Sequence, residues 1–560
     1  MSVPPSSVVD NHWEQLEGVA ALGQFEPTIS VSVVIPYYNR NTELALTLAA
    51  LAEQTYPSEL LEVVVADDGS DDPPRVSADI TDRISVTVVH QEHDGFGAPR
   101  ARNLGVQHAR GDLIVFLDSD MIPVREHIEA HARWHSVAGD AVTVGSRRHA
   151  DFDHLSAEQV GTAARDGDIA RLVADQAIRE PTWISDYVEA TESLIERPGG
   201  HWRIMSGGNL GVSKRLYEEV GGSDESFNQW GGEDNELGFR LVQAGALVIP
   251  EPMAACWHQG EGHVPDADEL KSLEMQRARL RQMIADVSFR GSKAGRSYAV
   301  PFIVVSIPAE GFDREAVGRC IDAVLACGIH DLAIEVSVPP GTEEAVWLHR
   351  EYLGDPRVMF TEPGSHVSSF DWTPLRIELP PSALPLPGSI AGIVERFSDD
   401  SIDVLRLTVP GAPEGAALVT AMTGRAIHRI QRHRRETSNG GSSMPVWIRE
   451  RWDVGGLFDI ASNESPRPTV VRVTQSPPDP DAIDELVAEM YDLKRTIAVQ
   501  KSRRSIQLSN ALGGMLRVRG IGDLRRRIRQ LLSALTDPRR YKPESRTSIA
   551  SRFLKAFGRS

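Results

Sequence analysis

GDLIVFLDSDMIP, residues 111–123, runs five consecutive apolar side chains into two aspartates that stand one residue apart. A continuous apolar run of this kind predicts a strand buried on both faces, as in parallel sheets covered by helices. Asp118 and Asp120 leave that strand together, at an exit where two carboxylates can turn toward one point. The pattern repeats outward from there. VSVVI (31–35), closed by Pro36, LEVVVA (61–66) and ISVTVVH (84–90) predict further strands. ELALTLAALAEQ (43–54) and residues 99–109 predict helices between them. Strands alternating with helices predict an α/β domain with a parallel sheet and helices on both faces. Ligands of such sheets bind beyond the carboxyl ends of the strands. The acidic residues gather there: Asp67 and Asp68 after one strand, Asp118 and Asp120 after another.

Three clusters carry chemistry. Two carboxylates spaced like Asp118 and Asp120 suit a hard cation, Mn²⁺ or Mg²⁺, whose shell substrate phosphates often complete. Asp67-Asp68-Gly69-Ser70 reads either as an ordinary turn, which Asp and Gly favour, or as carboxylates that hold a nucleotide base. Trp230-Gly231-Gly232-Glu233-Asp234 precedes NELGFRLVQAG, which predicts a helix and puts both acids at its start. They are either helix-capping charges or a general base for an acceptor hydroxyl. His258 is a metal ligand or a core histidine.

The chain has 560 residues and a net charge of −20, which predicts two or three domains and argues against nucleic acid as a partner. The charge is uneven. From Lys494 to Ser560 eighteen basic residues stand against three acidic ones. Ile521, Leu524, Ile528, Leu531, Leu532 and Leu535 recur there at helical spacing with arginines between them, an amphipathic basic helix suited to packing or to peripheral membrane contact. Three cysteines without a paired spacing predict no disulfides and a reducing compartment. The N-terminus lacks signal-peptide character, and no apolar run approaches a membrane span. The expectation is a cytoplasmic protein, with peripheral contact at the inner face of the membrane as the alternative.

A second α/β block starts near Tyr298 with YAVPFIVVSIP, REAVGRCIDAVLACG and LAIEVSV. PPGTEE then occupies the place of DDGSDD, and DVLRLTVPG (403–411) patterns like DLIVFLDSD. Either this is a weak internal repeat, with Pro339, Pro340, Pro410 and Gly411 in place of the aspartates, or it is the ordinary likeness of any two α/β domains. The expected organisation is a lead segment 1–28, a catalytic domain 29–290, a second, non-catalytic α/β domain 298–470, and a helical basic region 478–560.

The landmarks VSVVIPYYNR, VVVADDGS, ARNLGVQHARGDLIVFLDSDM, SGGNLGVSKRLYEEVGGSDESFNQWGGEDNELGFRL and ACWHQGEG together resemble family-2 glycosyltransferases of the GT-A fold, a Rossmann-like nucleotide-diphospho-sugar transferase architecture. FNQWGGEDNELGFRL and the following WHQ resemble most the bacterial chondroitin-polymerase-type N-acetylgalactosaminyltransferase domain. The resemblance implies a GT-A domain followed by a degenerate GT-A-like one. It implies that Pro36, Tyr38, Asn39, Arg40, Asp67, Asp68, Arg102, Asn103, Asp118 and Ser119 bind the nucleotide. It implies Asp118, Asp120 and His258 as ligands of Mn²⁺ or Mg²⁺. Asn209, Trp230, Gly231, Gly232 and Glu233 would shape the sugar and acceptor pocket, and Asp234, beside Glu233, would be the base of an inverting transfer. The donor implied is a UDP-sugar, UDP-N-acetylhexosamine first, and the acceptor a glycan or polysaccharide. The alternatives are a retaining transferase, for which the animal polypeptide transferases share a WGGE run, and a non-catalytic sugar-binding or assembly scaffold.

Overall fold

The computed structural model describes residues 3–460 apart from 177, 197, 261–266, 292–295, 398–401, 409–418, 437–447 and 455–457. The basic C-terminal region, and the helix expected in it, lie outside the described residues.

Eight strands form the first sheet: β1 (Val31–Tyr37), β2 (Leu61–Asp67), β3 (Ser85–His90), β4 (Leu113–Leu117), β5 (Met121–Pro123), β6 (Ala141–Ala150), β7 (Asn209–Ser213) and β8 (Leu247–Gln259). Their order is β3-β2-β1-β4-β7-β6-β8-β5. The first four lie parallel, as expected from the strand–helix alternation. β7 runs antiparallel to β4 and to β6, and β5 antiparallel to β8, so the sheet is mixed rather than wholly parallel. The apolar runs have a direct cause. Val33, Ile35, Val63 and Val115 face one core, while Val34, Val64, Ile114 and Phe116 face another on the opposite side. With both faces covered, alternation disappears from the sequence.

The second sheet contains β9 (Ile303–Pro308), β10 (Leu332–Ser337), β11 (Val358–Thr361), β12 (Leu375–Glu378), β14 (Val404–Thr408), β15 (Val419–Thr423) and β16 (Glu450–Val454). Between them β13 (Ala383–Pro385) pairs with β17 (Phe458–Ile460) in a separate ribbon. The order β11-β10-β9-β12-β15-β14-β16 repeats the first seven strands of the first sheet's order, with the same parallel and antiparallel senses and β5 without a described counterpart. The repeat is therefore one of topology as well as of sequence pattern, and the GT-A-like α/β architecture is present with a second sheet domain of the same plan.

Register corrects one expectation. Val31 lies opposite Leu61 and Leu113, and Ile303 opposite Leu332 and Leu375. The counterpart of Asp118-Ser119-Asp120 is thus Pro380-Pro381-Ser382, not residues 410 and 411. DVLRLTVPG instead contributes β14, the counterpart of β6, and Pro410 and Gly411 lie outside the described residues. At the other turn Val338 and Pro339 stand where Asp67 and Asp68 do. The second copy lacks carboxylates at both turns.

Both sheets belong to one compact unit, residues 1–463. The helix Gly424–Glu436 joins them. Arg425 Nη1 donates to Val242 O at 3.0 Å and Arg432 Nη2 to Ala244 O at 2.9 Å. Those carbonyls lie at the end of the helix Glu233–Gln243, where Val242 O also accepts from Gly245 N at 3.0 Å and Ala244 is the capping residue. Positive charge at a helix C-terminus is also favourable to its dipole.

Candidate functional site

β1, β2 and β4 end at one edge of the first sheet and deliver their acidic residues there. At the β1 end, Pro36 closes the strand and Tyr38 stacks on His93 with ring centroids 4.4 Å apart, its own ring 44% exposed. Asn39 takes a left-handed φ of 51°, which asparagine tolerates better than most residues. It accepts from Asp72 N at 2.9 Å and so ties this turn to the next. Arg40 pairs with Glu43 at 3.0 Å. Asp67 and Asp68 are buried and engaged. Asp67 Oδ2 meets His90 Nδ1 at 2.9 Å, and Asp68 accepts from Gln91 Nε2 at 2.6 Å and contacts His93 Nδ1 at 2.9 Å. The carboxylates are held within the turn, and the ends of β1 and β3 bring Tyr38 and His93 beside them.

Arg102 is the centre of the arrangement. Its guanidinium is buried on the helix Ala98–His108. Nη2 lies 3.2 Å from Asp118 Oδ1 and Nη1 lies 3.1 Å from Asp234 Oδ1, with Glu233 Oε1 at 3.7 Å. Burial opposes its charge, but Asp234, Asp118 and Glu233 outweigh that and raise its pKa. One cation thus joins motifs that lie more than a hundred residues apart in sequence. Gly207 and Gly208 make room for it. A Cβ on Gly207 would stand 2.5 Å from Asp234 Oδ1 and from Arg102 Cζ, and one on Gly208 2.4 Å from Asp118 Oδ2. The SGGNLG landmark is explained by that fit. Its spacing alone assigned these glycines no role.

The two acids of the Gly231-Gly232 turn differ. Both glycines have positive φ, 109° and 93°, and Gly232 caps the helix Glu233–Gln243. The side chains of Leu273 and Leu280 fill the space where their Cβ atoms would be. Trp230 beside them is half exposed. Glu233 is 8% exposed, and burial, then the charge of Asp234, pushes its carboxyl up to about 7. Asp234 keeps 26% of its side chain exposed.

β5, β8 and β6 lie side by side and bring Asp120, His258 and His149 together. His258 Nε2 is 3.7 Å from Asp120 Oδ2, beyond hydrogen-bond reach, and Asp120 Oδ1 is buried with no hydrogen-bond partner. Burial foremost raises the Asp120 pKa, the charge of His258 opposing and that of Asp118 adding. A carboxylate with one oxygen, Oδ1, buried and orphaned and the other, Oδ2, near an imidazole nitrogen fits a divalent cation. Among the described residues, though, no three His, Cys, Asp or Glu side chains converge closely enough to hold one. Asp118, expected as the third ligand, is turned toward Arg102. His149, missed in the sequence, stacks on His258 with centroids 4.5 Å apart.

Three expected contacts serve the scaffold. Asn209 is buried, its Oδ1 accepts from His131 Nε2 at 3.0 Å and its Nδ2 donates to Ala254 O at 2.8 Å. It ties β7 to β6 and β8. Asn103 holds the following loop, donating to Glu225 Oε1 at 2.8 Å and accepting from Tyr217 Oη at 2.6 Å. Ser119 is buried, and its carbonyl accepts from Thr47 Oγ1 at 2.9 Å. The three cysteines are unpaired, and no described helix is long and apolar enough to cross a membrane.

Residues 32–184 match the family model described as Glycosyl transferase family 2, and residues 195–253 that of the N-terminal domain of galactosyltransferase. A chondroitin synthase of Escherichia coli is 28% identical over 348 residues, covering 59% of this chain and 50% of that one. A validoxylamine A glucosyltransferase of Streptomyces hygroscopicus subsp. limoneus is 33% identical over 220 residues, covering 38% and 47%. A mannosyltransferase from Pyrobaculum calidifontis, solved in complex with GDP-Man and Mn2+, aligns over 50% of this chain and 70% of its own at 21% identity and a TM-score of 0.31. The chain spans half or less of the length of these two curated relatives.

Proposed function

We propose that this protein moves a sugar from a nucleotide-sugar to a glycan or polysaccharide acceptor, with inversion at the anomeric carbon, a reading supported by the match of residues 32–184 to the glycosyl transferase family 2 model. The observation that carries the reading is the Arg102 guanidinium, which holds Asp118 at 3.2 Å and Asp234 at 3.1 Å. It puts the donor side and the acceptor side of one reaction on a single buried cation.

Asp234 is the general base. It is the more exposed member of the acidic pair; Oδ1 accepts from Arg102, which balances its charge, and Oδ2 is left to take a proton from an acceptor hydroxyl. The deprotonated oxygen attacks the anomeric carbon from the face opposite the departing nucleoside diphosphate. A new glycosidic bond forms as the bond to the diphosphate breaks. Glu233, buried and with its carboxyl pushed up to about 7 by burial and by Asp234, lies beside the base. Tyr38, Asp67 and Asp68 form the nucleoside end. Asp120 and His258 would hold Mn²⁺ or Mg²⁺, with donor oxygens completing the shell. Such an ion supplies charge neutralisation for the leaving diphosphate. The second sheet domain, without carboxylates at the equivalent turns, is non-catalytic in this reading and buttresses the helix that carries Asp234. The likeness to chondroitin synthase favours a UDP-sugar donor, UDP-N-acetylhexosamine first.

Thermal unfolding of the protein with UDP-, GDP- and dTDP-sugars, each with and without Mn²⁺, tests the site. Native-state ligands raise apparent stability. Metal-dependent stabilisation by a UDP-sugar that disappears in Asp120→Ala is the expected result. Stabilisation that survives in that variant overturns the metal assignment, and no response to any nucleotide overturns the transferase reading.

A further inference from the structure

Arg147 lies on β6 opposite Cys256, and His149, two residues on, lies opposite His258. Side chains two apart on a strand share a face, so Arg147 and His149 stand in file beside the Asp120–His258 pair. Arg147 Nη1 donates to Ser206 Oγ at 3.3 Å. Ser206 begins the turn whose Gly207 and Gly208 cradle Arg102, Asp234 and Asp118. The Nε of Arg147 is buried and has no hydrogen-bond partner, and the guanidinium makes no ion pair among the described residues. The nearby acids are committed elsewhere: Asp118 to Arg102, and Asp120 toward His258.

A half-buried guanidinium with a sealed Nε and no counter-ion is costly, and its planar fork suits two oxygens of one anion. Arg102 in the same crevice shows the contrast, with three carboxylates around it. We propose that Arg147 is an anion-binding residue of this site and takes an oxygen anion of the substrate, either a diphosphate oxygen of the donor or the carboxylate of an acidic sugar. The inference rests on the glycosyl-transfer reading but makes its own demand, an anion at Arg147 that neither the metal pair nor Arg102 accounts for.

Calorimetric titration of wild type and Arg147→Gln with Mn²⁺ and UDP, with inorganic pyrophosphate, and with a glucuronate-containing oligosaccharide tests it. Loss of a charge-assisted, two-pronged contact weakens binding by about tenfold or more. Weaker UDP and pyrophosphate binding in the variant, with the oligosaccharide unaffected, assigns the anion to the donor diphosphate. Weaker oligosaccharide binding with UDP unaffected assigns it to a sugar carboxylate. Equal affinities of wild type and variant for all three overturn the proposal. Pyrophosphate binding that needs Arg147 supports the anion site even if no sugar transfer is found, which separates this proposal from the transferase reading. Arg147→Lys, which keeps the charge and loses the fork, recovers only part of the affinity, and circular dichroism checks that both variants are folded.

Discussion

Arg102 Nη1 lies 3.1 Å from Asp234 Oδ1, and its Nη2 3.2 Å from Asp118 Oδ1. A single buried side chain therefore sets the spacing between the strand exit at β4 and the start of the helix Glu233–Gln243. Removing it leaves three carboxylates facing one another without a cation. Breaking a buried ion pair at one partner costs about 3–5 kcal/mol. Arg102→Ala is expected to lose that much in urea unfolding and to lower turnover at least a hundredfold. Arg102→Lys recovers little, because one ammonium cannot span both acids. Wild-type turnover in Arg102→Lys would contradict the role.

Glu233 and Asp234 separate by pH. The folded pKa of Glu233, about 7, lies above its ordinary 4.5. The native state therefore binds more protons than the unfolded chain between those values. This contribution to stability is full below 4.5 and is lost as pH rises through 7. Glu233→Gln keeps the neutral form at every pH. The variant should gain stability relative to wild type as pH rises from 5 to 8, by up to about 1.4 kcal/mol per unit within the window. A difference independent of pH would show that Glu233 is ionised in the fold.

A buried histidine column on the helix His127–His135 has the opposite sign. Burial holds His131 at about 4 and His135 at about 3, and His127 well below its ordinary range. The unfolded chain takes up protons from pH 6.5 downward while these rings stay neutral. Their stability is fully present above 6.5 and falls as pH drops toward 4 and then 3, each ring contributing at most about 1.4 kcal/mol per unit. Urea melts between pH 7.5 and 5 should show a decline steeper than one proton accounts for. A flat profile there would mean that the column protonates without unfolding.

The glycine turn gives a sharper local test. Gly208→Ala places a methyl group 2.4 Å from Asp118 Oδ2, closer than real contacts allow. Turnover is expected to fall at least tenfold, with the far-ultraviolet circular dichroism unchanged. Gly199→Ala, where a Cβ meets nothing, is the control and should remain near wild type.

Docking of the second domain is tested at Arg425 and Arg432, both buried against the end of the helix that carries Asp234. Each replacement by alanine leaves a carbonyl without its charged donor and is expected to cost about 1–3 kcal/mol. The double variant should also show early proteolytic release of the second sheet domain in limited digestion. Undiminished stability in the double variant would remove the buttress role.

Much of this was legible in the sequence, for physical reasons that also mark where legibility stops. β1, β2 and β4 are buried on both faces, so their apolar runs announce themselves, and the acids at their ends stand out against them. Tertiary facts are not written that way. Arg102 sits in an unremarkable helix, and only folding reveals that it faces both Asp118 and Asp234. The counterpart of β4 in the second domain was hidden for a different reason. LRIE at 375–378 breaks its apolar run with Arg376, which pairs with Glu335 of β10 at 2.7 Å. A charge satisfied by a buried partner reads as a surface residue when the partner is forty residues away. DVLRLTVPG carries the more conspicuous apolar pattern and drew the alignment to the wrong strand. Asn209 and Asn103 show the converse. Polar residues inside strong motifs look like ligand contacts, yet their amides are spent on holding strands and loops.

The central claim is that Asp234 deprotonates the acceptor in an inverting sugar transfer. Proton NMR of the anomeric signal, followed during incubation with a UDP-sugar, Mn²⁺ and a glycan acceptor, tests it most directly. Wild type should yield product of inverted configuration. Asp234→Asn should yield none at matched times, while still binding UDP in calorimetry. Product of retained configuration, or near-normal product from Asp234→Asn, would contradict the account.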